Sequence, residues 1–203
     1  NLRWRTDVVG GNMRVFEIEG SGVQRGTAEG QYMLERYNGS NFLAGERLFY
    51  MIKKGMPMGN YTLSGAAQKG AGAGVINLFV NDSLTAIPVV KNLRSYSVSA
   101  EVTNGVLSFG MQAGDGNACN WASLADAKVV YKSAYVLISE TIAEATELLM
   151  QGEDTDGKLA TAKAMAEVAL EDGTNEERLE KVYQLREAMT VFYDENYSLP
   201  EAP

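Results

Sequence analysis

Between residues 76 and 112 the chain repeatedly alternates side-chain character with a period of two. Ile76, Leu78 and Val80 alternate with Asn77, Phe79 and Asn81. Tyr96, Val98, Ala100 and Val102 alternate with Ser95, Ser97, Ser99 and Glu101, and Leu107, Phe109 and Met111 alternate with Ser108, Gly110 and Gln112. This rhythm buries one face of a strand and leaves the other wet or less tightly packed. Further strands are predicted at residues 15–19, 32–37, 47–53, 61–65 and 125–131. Asn104-Gly105, between two alternating runs, predicts a hairpin turn because both residues tolerate positive φ. Eight short strands with loops between them, and no helix long enough for a crossover, point to an antiparallel sandwich. A closed barrel is the competing arrangement.

The rhythm changes near residue 133. Ile138, Ile142, Ala145 and Leu149 share one stripe; so do Leu159, Ala162, Met165 and Ala169, and then Leu179, Val182, Met189 and Phe192. Spacings of three and four place apolar side chains on one helical face. Gly152 to Gly157 interrupt the first pair, and Gly173 ends the second helix. Thr174 with Glu177 three residues later predicts a capping box at the start of the third. Short links imply antiparallel neighbours. The expectation is a β-sandwich over residues 1–133 followed by a three-helix bundle over 134–203, the latter small enough to be marginal alone.

Charge and glycine divide the chain at the same place. Residues 1–133 carry 13 basic and 10 acidic side chains, whereas residues 134–203 carry 5 and 16, a net of −11. Glycine divides 18 to 3. The overall charge of −8 argues against nucleic acid as a partner, and the acidic bundle is a candidate docking element for a protein partner. No apolar run reaches the ~18 residues of a membrane span. The chain contains no histidine, which removes a Ser-His-Asp triad, a Cys-His dyad and the usual zinc sites. A single cysteine, Cys119, can form neither an internal disulfide nor a thiolate cage. The chain opens on Asn1 rather than Met, from which a processed, exported protein is expected.

Several motifs have simpler readings. Gly70, Gly72 and Gly74 precede a strand rather than a helix, so a flexible hairpin loop is expected and not a phosphate loop. Asp154, Asp156 and Gly157 resemble half of a calcium loop, but the twelfth position is Met165, not Glu. A helix connection with Asp156 as N-cap is expected instead. The ten acids of the first part include no pair set apart for glycoside hydrolysis, and several alternate with apolar strand residues and are read as wet-face charges. Asn38, Asn60, Asn81 and Asn196 each begin an Asn-X-Ser/Thr triplet, a pattern that turns produce by chance.

Aromatic rings beside amides are the more informative set. A sugar stacks its C–H face on a ring while Asn, Asp and Arg hydrogen-bond its hydroxyls, and a shallow site at loop ends suffices. One such loop is Tyr37-Asn38-Gly39-Ser40-Asn41-Phe42, and another runs from Asp115 through Asn117, Cys119 and Asn120 to Trp121. Trp4 and Arg5 are candidates to join them. The competing reading makes Trp121 a core ring at the start of a strand.

Five segments in order match a known pattern. Gly59-Asn-Tyr-Thr-Leu-Ser resembles the G-x-Y-x-L strand of the galactose-binding-like jelly-roll domains abundant in secreted Bacteroidetes proteins. Ile76-Asn-Leu-Phe-Val-Asn-Asp resembles their L-x-V-N-G strand, and Asn104-Gly-Val-Leu-Ser-Phe-Gly resembles D-G-x-L-x-x-G. Asn120-Trp-Ala-Ser-Leu-Ala-Asp-Ala-Lys-Val is similar to the closing N-W-x-x-x-D-x-x-x-L strand. Tyr37-Asn38 and Phe42 sit where Y-N plus an aromatic often occurs. The match covers about residues 27 to 131. The customary opening N-P-x-F-E run is not recognisable, and Ala125-Asp126-Ala127 replaces the usual aromatic beside the closing Asp.

The resemblance implies a jelly-roll sandwich acting as a non-catalytic carbohydrate-binding module of a secreted, periplasmic or cell-surface protein, with a helical tail. It implies a glycan site at loops on one end of the sandwich, with no cofactor beyond the structural calcium that some members hold. Trp4, Tyr37 or Phe42 would stack on the sugar, beside Trp121. Asn38, Asn41, Asn117 and Asn120 would bond its hydroxyls, and Arg5 would add a donor for an acidic sugar. The alternative is a structural or protein-interaction module with no sugar site.

Overall fold

The computed structural model describes residues 4–17, 32–72, 74–88, 93–114 and 119–197. Among the described residues, nine strands precede three helices. The strands are β1 (Asn12–Glu17), β2 (Tyr32–Tyr37), β3 (Arg47–Lys54), β4 (Gly59–Lys69), β5 (Ile76–Val80), β6 (Ser83–Ile87), β7 (Arg94–Val102), β8 (Val106–Ala113) and β9 (Trp121–Ser133). The helices are α1 (Ala134–Gln151), α2 (Lys158–Asp172) and α3 (Asn175–Tyr197). The chain forms two compact units, Asn1–Met56 with Tyr61–Tyr131, and Pro57–Asn60 with Lys132–Pro203.

Two antiparallel sheets make the sandwich, ordered β1-β2-β9-β4-β7 and β3-β8-β5-β6. Neighbours pair as β2 with β9, β3 with β8, β4 with β7 and β5 with β6. That nesting arises when one long antiparallel ribbon, with β5–β6 at its tip, folds over on itself; it is jelly-roll topology. Two sheets with separate edges replace the barrel alternative. Leu34, Ala122 and Leu124 from one sheet and Leu78, Leu107 and Met111 from the other close a single core between them. At the outer edge of β3, Arg5 and Tyr50 exchange two backbone hydrogen bonds of 2.9 Å, and the Asp7 N–H donates to the Arg47 carbonyl at 2.9 Å.

Four sequence expectations change here. Asn104-Gly105 is not a hairpin, because β7 and β8 lie in opposite sheets. The two-residue hairpin is Asn81-Asp82, which pairs Val80 with Ser83 and holds Asn81 at φ 48°. Its Asn81 Oδ1 accepts from the Ser108 N–H at 2.8 Å and its Nδ2 donates to the Val106 carbonyl at 3.2 Å, so the turn is fastened to β8. Likewise the Gly70–Gly74 stretch is not a hairpin loop; it carries the chain from β4 in one sheet to β5 in the other. Asn77 and Phe79 are not on a wet face either: all five residues of β5 are buried. Strand β1 begins three residues before the expected 15–19 segment, of which residues 18 and 19 lie outside the described residues.

The helical unit packs Leu137, Ile138 and Leu148 of α1, Leu159 and Ala166 of α2, and Leu179, Leu185 and Phe192 of α3 around one core. Met165, expected on the inner stripe, is 47% exposed, and Ala166 takes the inward position. Gly173 closes α2, its N–H donating to the Ala169 carbonyl at 3.0 Å. The capping box forms as expected: the Glu177 N–H donates to Thr174 Oγ1 at 3.2 Å and the Thr174 N–H to Glu177 Oε2 at 2.7 Å. These bonds hold the Glu177 carboxyl below its ordinary range. At the start of α2 the cap differs from expectation. Asp154 accepts from the N–H groups of Leu159 and Ala160, while Asp156 accepts from Lys158 and pairs with its ammonium at 2.5 Å. Gly157, at φ 69°, occupies the cap position. Among the described residues no helix is long and apolar enough to cross a membrane.

Candidate functional site

Strand register decides which candidates can meet. In β2, Leu34 faces the core, so Met33, Glu35 and Tyr37 face the other way. In β9, Ala122 and Leu124 face the core, so Trp121, Ser123 and Ala125 share the outward side. The antiparallel pairing sets Tyr37 opposite Trp121, Glu35 opposite Ser123 and Met33 opposite Ala125. Side chains directly opposite on one face have Cβ atoms ~5 Å apart. The register therefore places Tyr37 and Trp121 as cross-strand neighbours at the end of the five-stranded sheet. Tyr37 is 45% exposed and Trp121 is half-buried.

The loops that continue from these strands are joined. The Asn38 N–H donates to the Asn120 carbonyl at 2.9 Å, and the Phe42 N–H to the Cys119 carbonyl at 3.2 Å. Asn38 Oδ1 accepts from the Gly39 N–H at 2.9 Å, and its Nδ2 donates to Ser40 Oγ at 3.4 Å. Asn41 is exposed and Asn120 half-buried beside them. The fold thus brings Tyr37, Asn38, Asn41, Asn120 and Trp121 to one loop end. Asn117 lies outside the described residues.

Three candidates stand elsewhere. Phe42 has no exposed surface and fills the sandwich core, so it offers no face for stacking. Its burial is that of a loop residue folded inward. Trp4 packs edge-on against the rings of Phe49 and Phe109 at 5.7 and 5.8 Å, as part of the core wall. Arg5 is exposed, but its backbone bridges Tyr50 on the edge of the four-stranded sheet, away from the Tyr37–Trp121 end.

The core side of the same strand end carries a clamp that sequence reasoning missed. Arg36 is 2% exposed and turns inward from β2. Its Nη2 donates to the carbonyl of Val8 at 2.8 Å and to that of Gly10, and its Nη1 to that of Tyr37 at 3.4 Å. Burial pulls this guanidinium below its ordinary pKa, and the nearby Glu46 carboxylate opposes that pull. Gly11, at φ 63°, passes so close that an added Cβ would stand 2.1 Å from the Tyr37 carbonyl oxygen. Only glycine fits there. One row across from Arg36, at the end of β4, Lys69 is 3% exposed and donates to the Gly72 carbonyl at 2.9 Å.

The outward face behind the rings is also unlike its sequence reading. Glu35 is 5% exposed and Ser123 and Gln68 are fully buried, so Glu35 is no wet-face charge. Alternation within β2 assigns Glu35 a face but cannot say whether that face is covered. Two carboxylates among the described residues are engaged: Asp7 binds Arg47 at 2.6 Å, and Glu46 accepts from the Leu43 N–H at 2.6 Å. Burial raises the Asp7 carboxyl, but its hydrogen bond and ion pair with Arg47 outweigh this and leave it below the ordinary range. Among the described residues no three His, Cys, Asp or Glu side chains group to hold a metal ion.

No family model matches the sequence, and no curated protein matches it. Among solved structures, the chain is similar to TmCBM61 in complex with β-1,4-galactotriose, at 15% identity over 64% of this chain and 88% of that one, with a TM-score of 0.41. It is similar to a putative sugar binding protein from Bacteroides thetaiotaomicron, at 8% identity over 64% and 88%, with a TM-score of 0.40. It is also similar to the CBM51-2 and INT domains of Clostridium perfringens ZmpB in complex with GlcNAc, at 15% identity over 94% of this chain and 44% of that one, with a TM-score of 0.33.

Proposed function

We propose that the sandwich is a non-catalytic glycan-binding module of an exported bacterial protein, with its site at the Tyr37–Trp121 end. The observation that carries this reading is the register that sets Tyr37 opposite Trp121, flanked by Asn38, Asn41 and Asn120 on two loops joined backbone to backbone. Tyr37 supplies the exposed ring, Trp121 its half-buried neighbour, and the three amides the hydrogen bonds to sugar hydroxyls. Engagement of Asp7 and Glu46 in structural contacts supports a binding rather than a hydrolytic role. The ordered motifs of the galactose-binding-like pattern support the same assignment. Sites of this kind are shallow, and affinity is gained by repetition along a chain or surface.

Calorimetry of the full chain against a panel of neutral and acidic oligosaccharides tests the reading. Binding at millimolar ligand that falls roughly three- to tenfold in Tyr37→Ala, the scale of one aromatic contact, and persists in Trp4→Ala is the expected result. Absence of binding across the panel sinks it. A second reading, a structural or interaction module without a sugar site, is favoured by the core burial of Phe42 and the core packing of Trp4, which remove two of four candidate rings.

A further inference from the structure

A second surface lies in the helical unit and owes nothing to the sugar reading. Along the α2–α3 seam runs an open hollow of about 380 Å³ floored by Met165, Val168, Ala169 and Gly173, with Lys181 on its far wall. It continues over Ala160 and Ala164 along the same side of α2. Val168 is 66% exposed and Met165 47% exposed, although both belong to an otherwise well-packed helix. Met165 and Val168 thus expose their apolar surface side by side rather than singly.

One end of this groove is strongly acidic. Residues 171–181 hold Glu171, Asp172, Glu176, Glu177 and Glu180 against two bases, Arg178 and Lys181. Arg178 is turned inward: its Nε and Nη2 donate to the carbonyls of Ala169 and Leu170, both at 3.1 Å. Lys181 is drawn to Gln184, donating at 2.9 Å. None of the five carboxylates takes part in a salt bridge among the described residues. The groove is therefore apolar along its length and negative at the Gly173 end.

That asymmetry selects the occupant. A second copy of the chain would bring a helical unit with 5 basic and 15 acidic side chains over residues 134–197, so like charge opposes self-association. We propose that the α2–α3 groove docks an amphipathic helix of a partner protein, its apolar stripe over Met165 and Val168 and its Lys/Arg-rich end against the acidic collar. Recognition of an amphipathic helix by an apolar groove, with charge fixing its direction, is a recurrent mode.

The test uses the full chain and a synthetic helical peptide of about 18 residues, with leucines at i, i+3, i+4 and i+7 and lysines gathered at one end. A scrambled peptide of the same composition is the comparator. Calorimetry should show the striped peptide binding at least tenfold more tightly than the scrambled one. Val168→Asp separates the two forces, because it adds negative charge while spoiling the apolar floor. Docking in the groove predicts a loss of about tenfold, whereas mere charge attraction predicts no loss or a gain. Joint replacement of Glu171→Gln, Asp172→Asn, Glu176→Gln and Glu180→Gln should weaken binding and flatten its salt dependence. Circular dichroism confirms that the helices of each variant remain folded. Equal binding of both peptides, failure of the striped peptide to bind, or undiminished binding by the Val168→Asp variant overturns the proposal.

Discussion

Each helix start in the second unit is set by residues a few positions away. Ser133 Oγ accepts from the Val136 N–H, Asp154 from Leu159 and Ala160, and Thr174 and Glu177 from each other. In the sandwich the decisive contacts are distant: Tyr37 meets Trp121 across 84 positions of sequence, and Arg5 meets Tyr50 across 45. Local contacts form cheaply and early, whereas distant pairing must first overcome loop-closure entropy. The two units therefore differ in how a substitution is felt. In the helices it acts on one cap or one turn; in the sandwich it acts on a surface assembled from several strands. The two tryptophans, Trp4 and Trp121, both lie in the sandwich unit and none in the helices. Tryptophan fluorescence then reads the sandwich, and circular dichroism at helical wavelengths reads the bundle, in the same sample.

The largest effect is expected at Phe42. Its side chain is wholly buried, so Phe42→Ala should cost about 3–5 kcal/mol in denaturant unfolding followed by fluorescence. A cost under 1 kcal/mol would mean that the loop swings outward and that Phe42 is free to stack after all. Gly11→Ala comes next. The new Cβ meets the Tyr37 carbonyl in a left-handed backbone, and a loss of about 1–3 kcal/mol is expected on the same probe. Thr174→Ala should cost about 1 kcal/mol, this time seen in the helical signal with the fluorescence midpoint unmoved. Displacement of both signals together would erase the contrast between the units. The smallest effect is expected for Lys163→Ala, which removes an exposed i, i+4 pair with Glu167 and should change stability by under about 0.5 kcal/mol.

Acid sharpens the same contrast. The Glu177 carboxyl is depressed by its bonds to Thr174, and that of Asp156 by its bonds to Lys158. A carboxyl held lower in the folded chain stabilises it fully above the ordinary carboxylate pKa, and that contribution disappears as pH falls through the depressed value. Helical signal should therefore decline on acidification from pH 5 toward the depressed range. The decline should be smaller in Glu177→Gln, which has no charge to lose. An identical acid profile in both proteins would show that the capping box does not couple to pH.

Much of this architecture can be read from the chain. Period-two runs mark β5, β7 and β8, three-to-four spacing marks the helices, and Thr174 with Glu177 marks a boundary by chemistry alone. What escapes is whatever depends on a partner element. Strand β6 has only five residues with a single buried one, Ile87, and its true signal is the Asn81-Asp82 turn. Periodicity gives Phe79, Asn77 and Glu35 a face but not the layer that covers it. Met165 sits between two equally plausible helical stripes, and packing of Ala166 decides between them. At the candidate site, Tyr37, Asn38 and Trp121 were visible as rings and amides in loops. Arg36, Gly11 and Lys69 were not, because their meaning lies in carbonyls that only the fold brings near. Phe42 and Trp4 resembled site rings because composition cannot separate a ring that faces solvent from one that caps a core.

The most direct measurement is a titration of the isotope-labelled full chain with oligosaccharide, followed by amide chemical shifts. Shifts that saturate at Tyr37, Asn38, Asn41, Asn120 and Trp121, and vanish in Tyr37→Ala while the rest of the spectrum is preserved, are the predicted result. A saturating response elsewhere on the sandwich, or none at millimolar sugar, would contradict the account.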